Sequence, residues 1–158
     1  MNKRNVIRFL ISLILCQGAG IVGSLFTVPA IKNWYVFLQK PSFSPPNWLF
    51  GPAWTILYLL MAISIFLIWK TGLADRKTKT VFRLFWIHLF FNAIWSILFF
   101  GLESPLLGLF DIIILWVMIG ILTFQFFKIK KLAGILFIPY WLWVSFATIL
   151  NFFVYKLN

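Results

Sequence analysis

Acidic side chains are almost missing from this chain, in which Asp75, Glu103 and Asp111 are the three carboxylates among 158 residues. No carboxylate pair is therefore available for general acid–base catalysis, and we expect neither conventional hydrolase nor ATPase chemistry. Histidine and cysteine also occur once each, as His88 and Cys16. A lone cysteine excludes an intrachain disulfide and the paired-cysteine patterns of zinc and redox sites. We expect no metal site.

Charge is equally scarce in five long apolar runs, where Asp111 is the one charged residue. Crossing a bilayer core of about 30 Å takes about 20 helical residues, and each run is long enough. The sequence predicts an all-α integral membrane protein, with one domain over residues 1–158 built as a five-helix bundle. The helices are predicted at roughly 5–28, 48–69, 80–100, 105–127 and 132–155.

The lysines and arginines are distributed unevenly between the two sides of this predicted bundle. Eleven lie near the start of the first helix or around the second and fourth connections between helices, and three lie on the opposite side. The positive-inside rule then predicts a cytoplasmic N-terminus and an external C-terminus, in what we expect to be a bacterial cell membrane. The net charge of +11 is therefore interpreted as a topology signal, and we expect no nucleic-acid partner.

The longest connection is predicted at residues 29–46, which contain four prolines together with Trp34 and Tyr35. Proline removes a backbone donor and argues against a long straight helix here. A loop of this length in a compact domain is usually functional or disordered, and this one is too aromatic for a disordered spacer. We interpret it as a structured lid over the bundle.

Helical spacing places candidate pocket residues on shared faces of the third and fifth helices. Asn92 and Trp95 share one face, and Trp143, Ala147 and Asn151 share another. Polar side chains inside a membrane are costly and point to function. An aromatic wall with a few amides suits a flat, apolar ligand that is held by stacking.

Other positions have weaker or structural interpretations. Trp54 and Tyr58 lie one turn apart in the second helix, and Trp54 fits either an interfacial belt or a stacking wall. Trp141 points about 200° away from Trp143 and is expected in lipid contact or a belt. We expect a packing or interfacial role for His88 and a structural role for Asp111.

In the first helix, small residues recur four apart, as Ala19 with Gly23 and Gly20 with Ser24. Such pairs allow close helix contact in lipid. We favour packing within the bundle over a homodimer seam.

Several motifs in order resemble the TspO/translocator protein family. They are W-Y-x-x-L-x-K-P-S-F-x-P-P at 34–46, G-P-x-W at 51–54, N-x-x-W at 92–95, Asp111, and P-Y-x-x-W-x-x-F-A-x-x-L-N at 139–151. The resemblance covers nearly the whole chain. It implies five helices, binding of porphyrins and other tetrapyrroles, binding of benzodiazepine- and isoquinoline-type ligands, and a homodimer.

The resemblance also implies a pocket beneath the first loop. Together with the helical faces, it gives the predicted ligand-binding residues as Tyr35, Trp54, Tyr58, Asn92, Trp95, Trp143, Ala147 and Asn151. Trp54 and Trp143 match tryptophans that matter for light- and oxygen-dependent porphyrin breakdown in some members, so they are the candidate catalytic residues. Porphyrin would be ligand or substrate, and no cofactor is required.

Three functions follow as hypotheses. The first is a membrane receptor or sensor that binds porphyrin in the aromatic pocket. The second is an enzyme-like, light-dependent degradation of the bound porphyrin. The third is a transporter of porphyrin or lipid, against which the lack of interrupted helices and charged relay residues counts.

Overall fold

The computed structural model describes residues 2–158, most of which are helical. Its five long helices are α1 (Lys3–Asn33), α2 (Phe50–Thr71), α3 (Arg76–Ser96), α4 (Pro105–Ile129) and α5 (Lys131–Leu157). All five are long and apolar enough to cross a membrane. The predicted all-α membrane protein with five spanning helices is confirmed.

The helices form a closed ring in the order α1, α2, α5, α4 and α3. Each contacts its two neighbours in that order, and α1 closes the ring by packing on α3. Phe85, Phe126, Phe137 and Tyr140 are fully buried between the helices. Helices in lipid associate through close packing rather than through the hydrophobic effect, so the fit of these aromatic rings sets the bundle geometry.

The small residues of α1 face other helices of the same chain. A Cβ built on Gly20 would lie 2.5 Å from the ring of Tyr58 in α2, and one on Gly23 would lie 2.8 Å from the hydroxyl of Ser96 in α3. These contacts agree with the expectation of packing within the bundle. The homodimer stays a prediction.

The expected end of α1 before Pro29 is wrong, because the helix continues through Pro29 to Asn33. Proline costs a helix one backbone hydrogen bond and some steric strain. Here Pro29 is exposed, while Ala30 in the next position is buried against Tyr35 and Phe99. The N–H of Trp34 also donates to the carbonyl of Ala30 at 2.9 Å, so packing and hydrogen bonding preserve the last turn.

The connection from α1 to α2 is therefore shorter than predicted, at residues 34–49, but it is structured. It contains two 3₁₀ turns, Tyr35–Phe37 and Asn47–Leu49. The Lys40 ammonium donates to the carbonyls of Tyr35 at 2.8 Å and Leu38 at 3.0 Å. The amide of Asn158, beyond α5, pairs with both backbone groups of Gln39. Opening and closing of this loop as a lid stays a prediction.

Helix α3 differs from its predicted bounds at both ends. It begins at Arg76 rather than near residue 80, because the Asp75 carboxylate accepts from the N–H of Thr78 at 2.9 Å and caps the first turn. Its other end widens into a π-helical turn, Ile97–Gly101. Ser104 then caps α4, accepting from the N–H of Leu107 at 3.3 Å, as expected from the sequence.

Candidate functional site

One large cavity lies within the bundle, below the loop 34–49. It has a volume of about 450 Å³ and is lined by residues of α1, α2, α3, the π-helical turn, α5 and the loop. This volume is within the range of small-molecule pockets. The structure brings every predicted site residue to its wall, namely Tyr35, Trp54, Tyr58, Asn92, Trp95, Trp143, Ala147 and Asn151. Their roles in binding or catalysis stay predictions.

Three of the long helices each contribute a tryptophan to the wall. Trp95 of α3 stacks on Phe99, with ring centroids 5.1 Å apart and planes at 20°. Trp54 of α2 packs against Tyr58 at 5.5 Å, and Trp143 of α5 packs edge-on against Phe50 at 6.4 Å. Each indole is held by another ring, so the rings are positioned before any ligand is present.

Two asparagines link the wall to neighbouring helices. The indole N–H of Trp95 donates to Asn151 Oδ1 at 3.3 Å, and Asn151 Nδ2 donates to the Pro105 carbonyl at 2.8 Å. Asn92 accepts from the Tyr58 hydroxyl and donates through Nδ2 to the Tyr140 hydroxyl at 2.9 Å. Asn151 therefore connects α3, α4 and α5, while Asn92 connects α2, α3 and α5.

The loop contributes Tyr35 to the cavity wall. This side chain is 3% exposed and packs edge-on against Phe100 at 5.7 Å. The Lys40 ammonium lies 4.8 Å from the centre of the Tyr35 ring, within cation–π distance. Burial raises the pKa of the Tyr35 phenol above its ordinary value, so the phenol stays neutral at physiological pH.

The structure places three other singled-out residues away from the cavity. Trp141 is half-buried and packs against Trp116 and against Gly120 of α4, and its lipid or belt position stays a prediction. Gly120 leaves room for the Trp141 indole against α4. His88 is fully buried, and Asp111 is 5% exposed. Among the described residues, Asp111 Oδ2 has no hydrogen-bond partner.

Sequence reasoning missed the part of the wall that α1 supplies. Gln17, Gly20, Gly23 and Ser24 all line the cavity. Two signals were available: the run of small residues, which was interpreted as helix packing, and Gln17, a polar side chain inside a predicted span. Gly20 both packs against α2 and lines the cavity, because the absence of a side chain leaves room for the Tyr58 ring.

The arrangement suits binding better than acid–base or metal chemistry. Within residues 2–158, no three His, Cys, Asp or Glu side chains lie together as a metal site would require. The cavity wall contains aromatic rings, three asparagines, a glutamine and several hydroxyl groups. Such a wall can stack on a flat ligand and make a few directed hydrogen bonds.

Comparisons with known proteins give the family. The model of the TspO/MBR family matches residues 12–157. The chain is 43% identical over 155 residues to the tryptophan-rich protein TspO of Archaeoglobus fulgidus, covering 98% of this chain and 99% of that protein. It is 40% identical over 158 residues to the protein of the same name from Chlorobaculum tepidum, covering 100% and 99%.

A human protein is also similar. The chain is 34% identical over 138 residues to the translocator protein of Homo sapiens, covering 87% of this chain and 82% of that protein. The family model and these relatives all extend over most of the five-helix bundle described above. The chain is therefore a membrane protein that belongs to the TspO/MBR family.

Proposed function

We propose that this protein is a membrane receptor or sensor that binds porphyrins, and also flat benzodiazepine- or isoquinoline-type molecules, in the aromatic cavity. The observation that carries the proposal is the convergence of Trp54, Trp95 and Trp143, from three helices, on one cavity of about 450 Å³. A favourable aromatic pair contributes about 0.5–1.5 kcal/mol beyond its buried area. Several such contacts favour a broad, conjugated ligand over an aliphatic one.

The location of the cavity supports the same ligand class. Apolar, conjugated molecules partition into membranes, and the cavity lies among membrane-spanning helices. Tyr35 and the rest of loop 34–49 cover one end, which favours exclusion of water above the bound rings. Binding there would couple ligand occupancy to the loop and to α5, the two elements joined by Asn158.

The test is quenching of tryptophan fluorescence by protoporphyrin, in nanodiscs and with empty discs as the partition control. We expect saturable quenching in the wild type and about tenfold weaker binding for Trp143→Ala, which removes one stacking wall. Trp116→Ala is the matched control, because Trp116 lies on α4 outside the cavity lining. Non-saturable quenching, or equal affinities for the two variants, would contradict the proposal.

Light-dependent porphyrin degradation is a second candidate function. It is favoured by one observation: Trp54 contacts Tyr58 at 5.5 Å and Tyr140 at 6.2 Å, so oxidisable rings continue from the cavity into the core. Illumination of bound protoporphyrin in air, followed by absorption spectra, tests it. We expect a new product that Trp54→Phe abolishes without loss of binding. A product that forms equally in Trp54→Phe would contradict this role.

A further inference from the structure

Four side chains form a continuous hydrogen-bonded row from the cavity wall into the core. Tyr58 and Asn92 line the cavity, and the Tyr58 hydroxyl bonds to Asn92 Oδ1. Asn92 Nδ2 lies 2.9 Å from the Tyr140 hydroxyl, which lies 3.3 Å from His88 Nε2. His88 Nδ1 lies 2.7 Å from the backbone carbonyl of Phe85. Tyr140 and His88 are both fully buried.

The Phe85 carbonyl, at the inner end, fixes which group donates and which accepts in every hydrogen bond of the row. A carbonyl oxygen only accepts, so His88 Nδ1 must carry the hydrogen, and Nε2 of the neutral ring is then an acceptor. The Tyr140 hydroxyl must donate to that Nε2, which leaves its oxygen to accept from Asn92. The amide oxygen of Asn92 therefore faces Tyr58, whose hydroxyl must donate to it.

The consequence lies at the cavity wall. With its hydrogen directed at Asn92, the Tyr58 oxygen has only lone pairs left for a ligand. A ligand that meets Tyr58 with an N–H or O–H gains a hydrogen bond, whereas one that meets it with an acceptor does not. Asn92 has a second amide hydrogen in either direction of these hydrogen bonds. That hydrogen therefore does not distinguish a donor ligand from an acceptor ligand.

We propose that His88, which does not line the cavity, is a positioning residue that makes Tyr58 a hydrogen-bond acceptor and so selects ligands with a donor at that point. This inference rests on the proposed binding function and adds the polarity of one contact to it. Without an acceptor at position 88, the Tyr140 hydroxyl has Asn92 as its remaining partner. The amide then turns, its Nδ2 donates to Tyr58, and the Tyr58 hydroxyl is free to donate into the cavity.

The first test is nuclear magnetic resonance of the wild-type protein labelled with ¹⁵N-histidine. His88 is the single histidine of the chain, so a preparation with a histidine-free affinity tag gives one pair of imidazole nitrogen signals. We expect a protonated Nδ1 and an unprotonated Nε2. A protonated Nε2 would reverse the row and overturn the proposal, and this measurement needs no variant to fold.

The second test compares carbazole with dibenzofuran, which have the same flat tricyclic shape but differ in an N–H or an O at one position. Their affinities are measured by equilibrium dialysis against nanodiscs, with empty discs subtracted. We expect the preference for carbazole to be about fivefold greater in the wild type than in Tyr58→Phe, the effect of one neutral hydrogen bond. His88→Leu should lose or reverse this preference, while His88→Gln, which retains a donor and an acceptor, should keep it.

The outcomes separate the two proposals. Equal preference in the wild type and Tyr58→Phe, or an unchanged preference in His88→Leu, overturns the role of His88 and leaves porphyrin binding intact. Failure of the wild type to bind either tricycle overturns the same role if protoporphyrin still binds saturably. Loss of protoporphyrin binding as well overturns the proposed function.

Discussion

Replacing Gly20 by alanine should disturb the cavity from the α1 side. The added Cβ would lie 2.5 Å and 2.7 Å from two ring carbons of Tyr58, where ordinary contacts begin near 3.4 Å. The ring would have to retreat by about 1 Å. It cannot do so freely, because its hydroxyl is bonded to Asn92 and its face packs on Trp54.

The cost of this clash can be compared with known overpacking. Inserting a methyl group into a closely packed interior costs about 1–3 kcal/mol. We expect Gly20→Ala to lower the free energy of unfolding by about that amount. We also expect weaker protoporphyrin binding, because the displaced Tyr58 ring changes the shape of the cavity wall; a loss of about 1.4 kcal/mol in binding free energy would be tenfold. Thermal unfolding and fluorescence quenching in the same detergent measure the two effects.

Gly18→Ala is the matched control on the same helix. Among the described residues, nothing lies within 4 Å of a Cβ built on Gly18. Alanine is also the better helix former by about 1 kcal/mol, so we expect unchanged binding and equal or greater stability. Equal losses in Gly18→Ala and Gly20→Ala would refute the packing argument, and so would full wild-type binding in Gly20→Ala.

Three further substitutions have defined outcomes. Trp95→Phe removes the N–H that donates to Asn151 and should cost about 1 kcal/mol of stability, measured by thermal unfolding; no change would show that this bond is unimportant. Asn158→Ala removes the two hydrogen bonds to the Gln39 backbone in the loop. Amide hydrogen exchange should become faster at residues 34–46 and stay unchanged in α4. The backbone N–H of Thr78 lowers the pKa of Asp75, so the stabilising effect of this cap is complete above the ordinary carboxyl pKa and is lost as the pH falls through the lowered value. Asp75→Ala should therefore lower the melting temperature at neutral pH but not in strongly acidic solution, and an equal loss at both would contradict the cap.

The five spans were predictable because each one is a long run with almost no charge, which is a property of single segments. The helix bounds were harder, since they depend on contacts between segments. Pro29 carries a strong breaking signal, yet the packing of Ala30 continues α1 for one more turn. The cap at Asp75 was missed because hydropathy, which located the spans, does not register a capping carboxylate among lysines.

The cavity residues were predictable to a similar degree. Asn92 and Trp95, like Trp143 and Asn151, stand out because amides and indoles recur at helical spacing in otherwise aliphatic segments. Gly20 does not stand out. A glycine that makes room for an aromatic ring looks the same in the sequence as a glycine that allows close helix packing. The proposed role of His88 could not be predicted from the sequence either, because it depends on the contact between His88 Nδ1 and the Phe85 carbonyl.

The ring order of the helices has a consequence for how the protein is made. The cavity needs both α1, which supplies Gly20, and α5, which supplies Trp143 and Asn151. Because α5 leaves the ribosome after the other four, a chain still in synthesis has no binding site. A ligand of this cavity would therefore stabilise only the fully inserted protein, and its supply during expression would raise the amount of folded protein that the membrane retains.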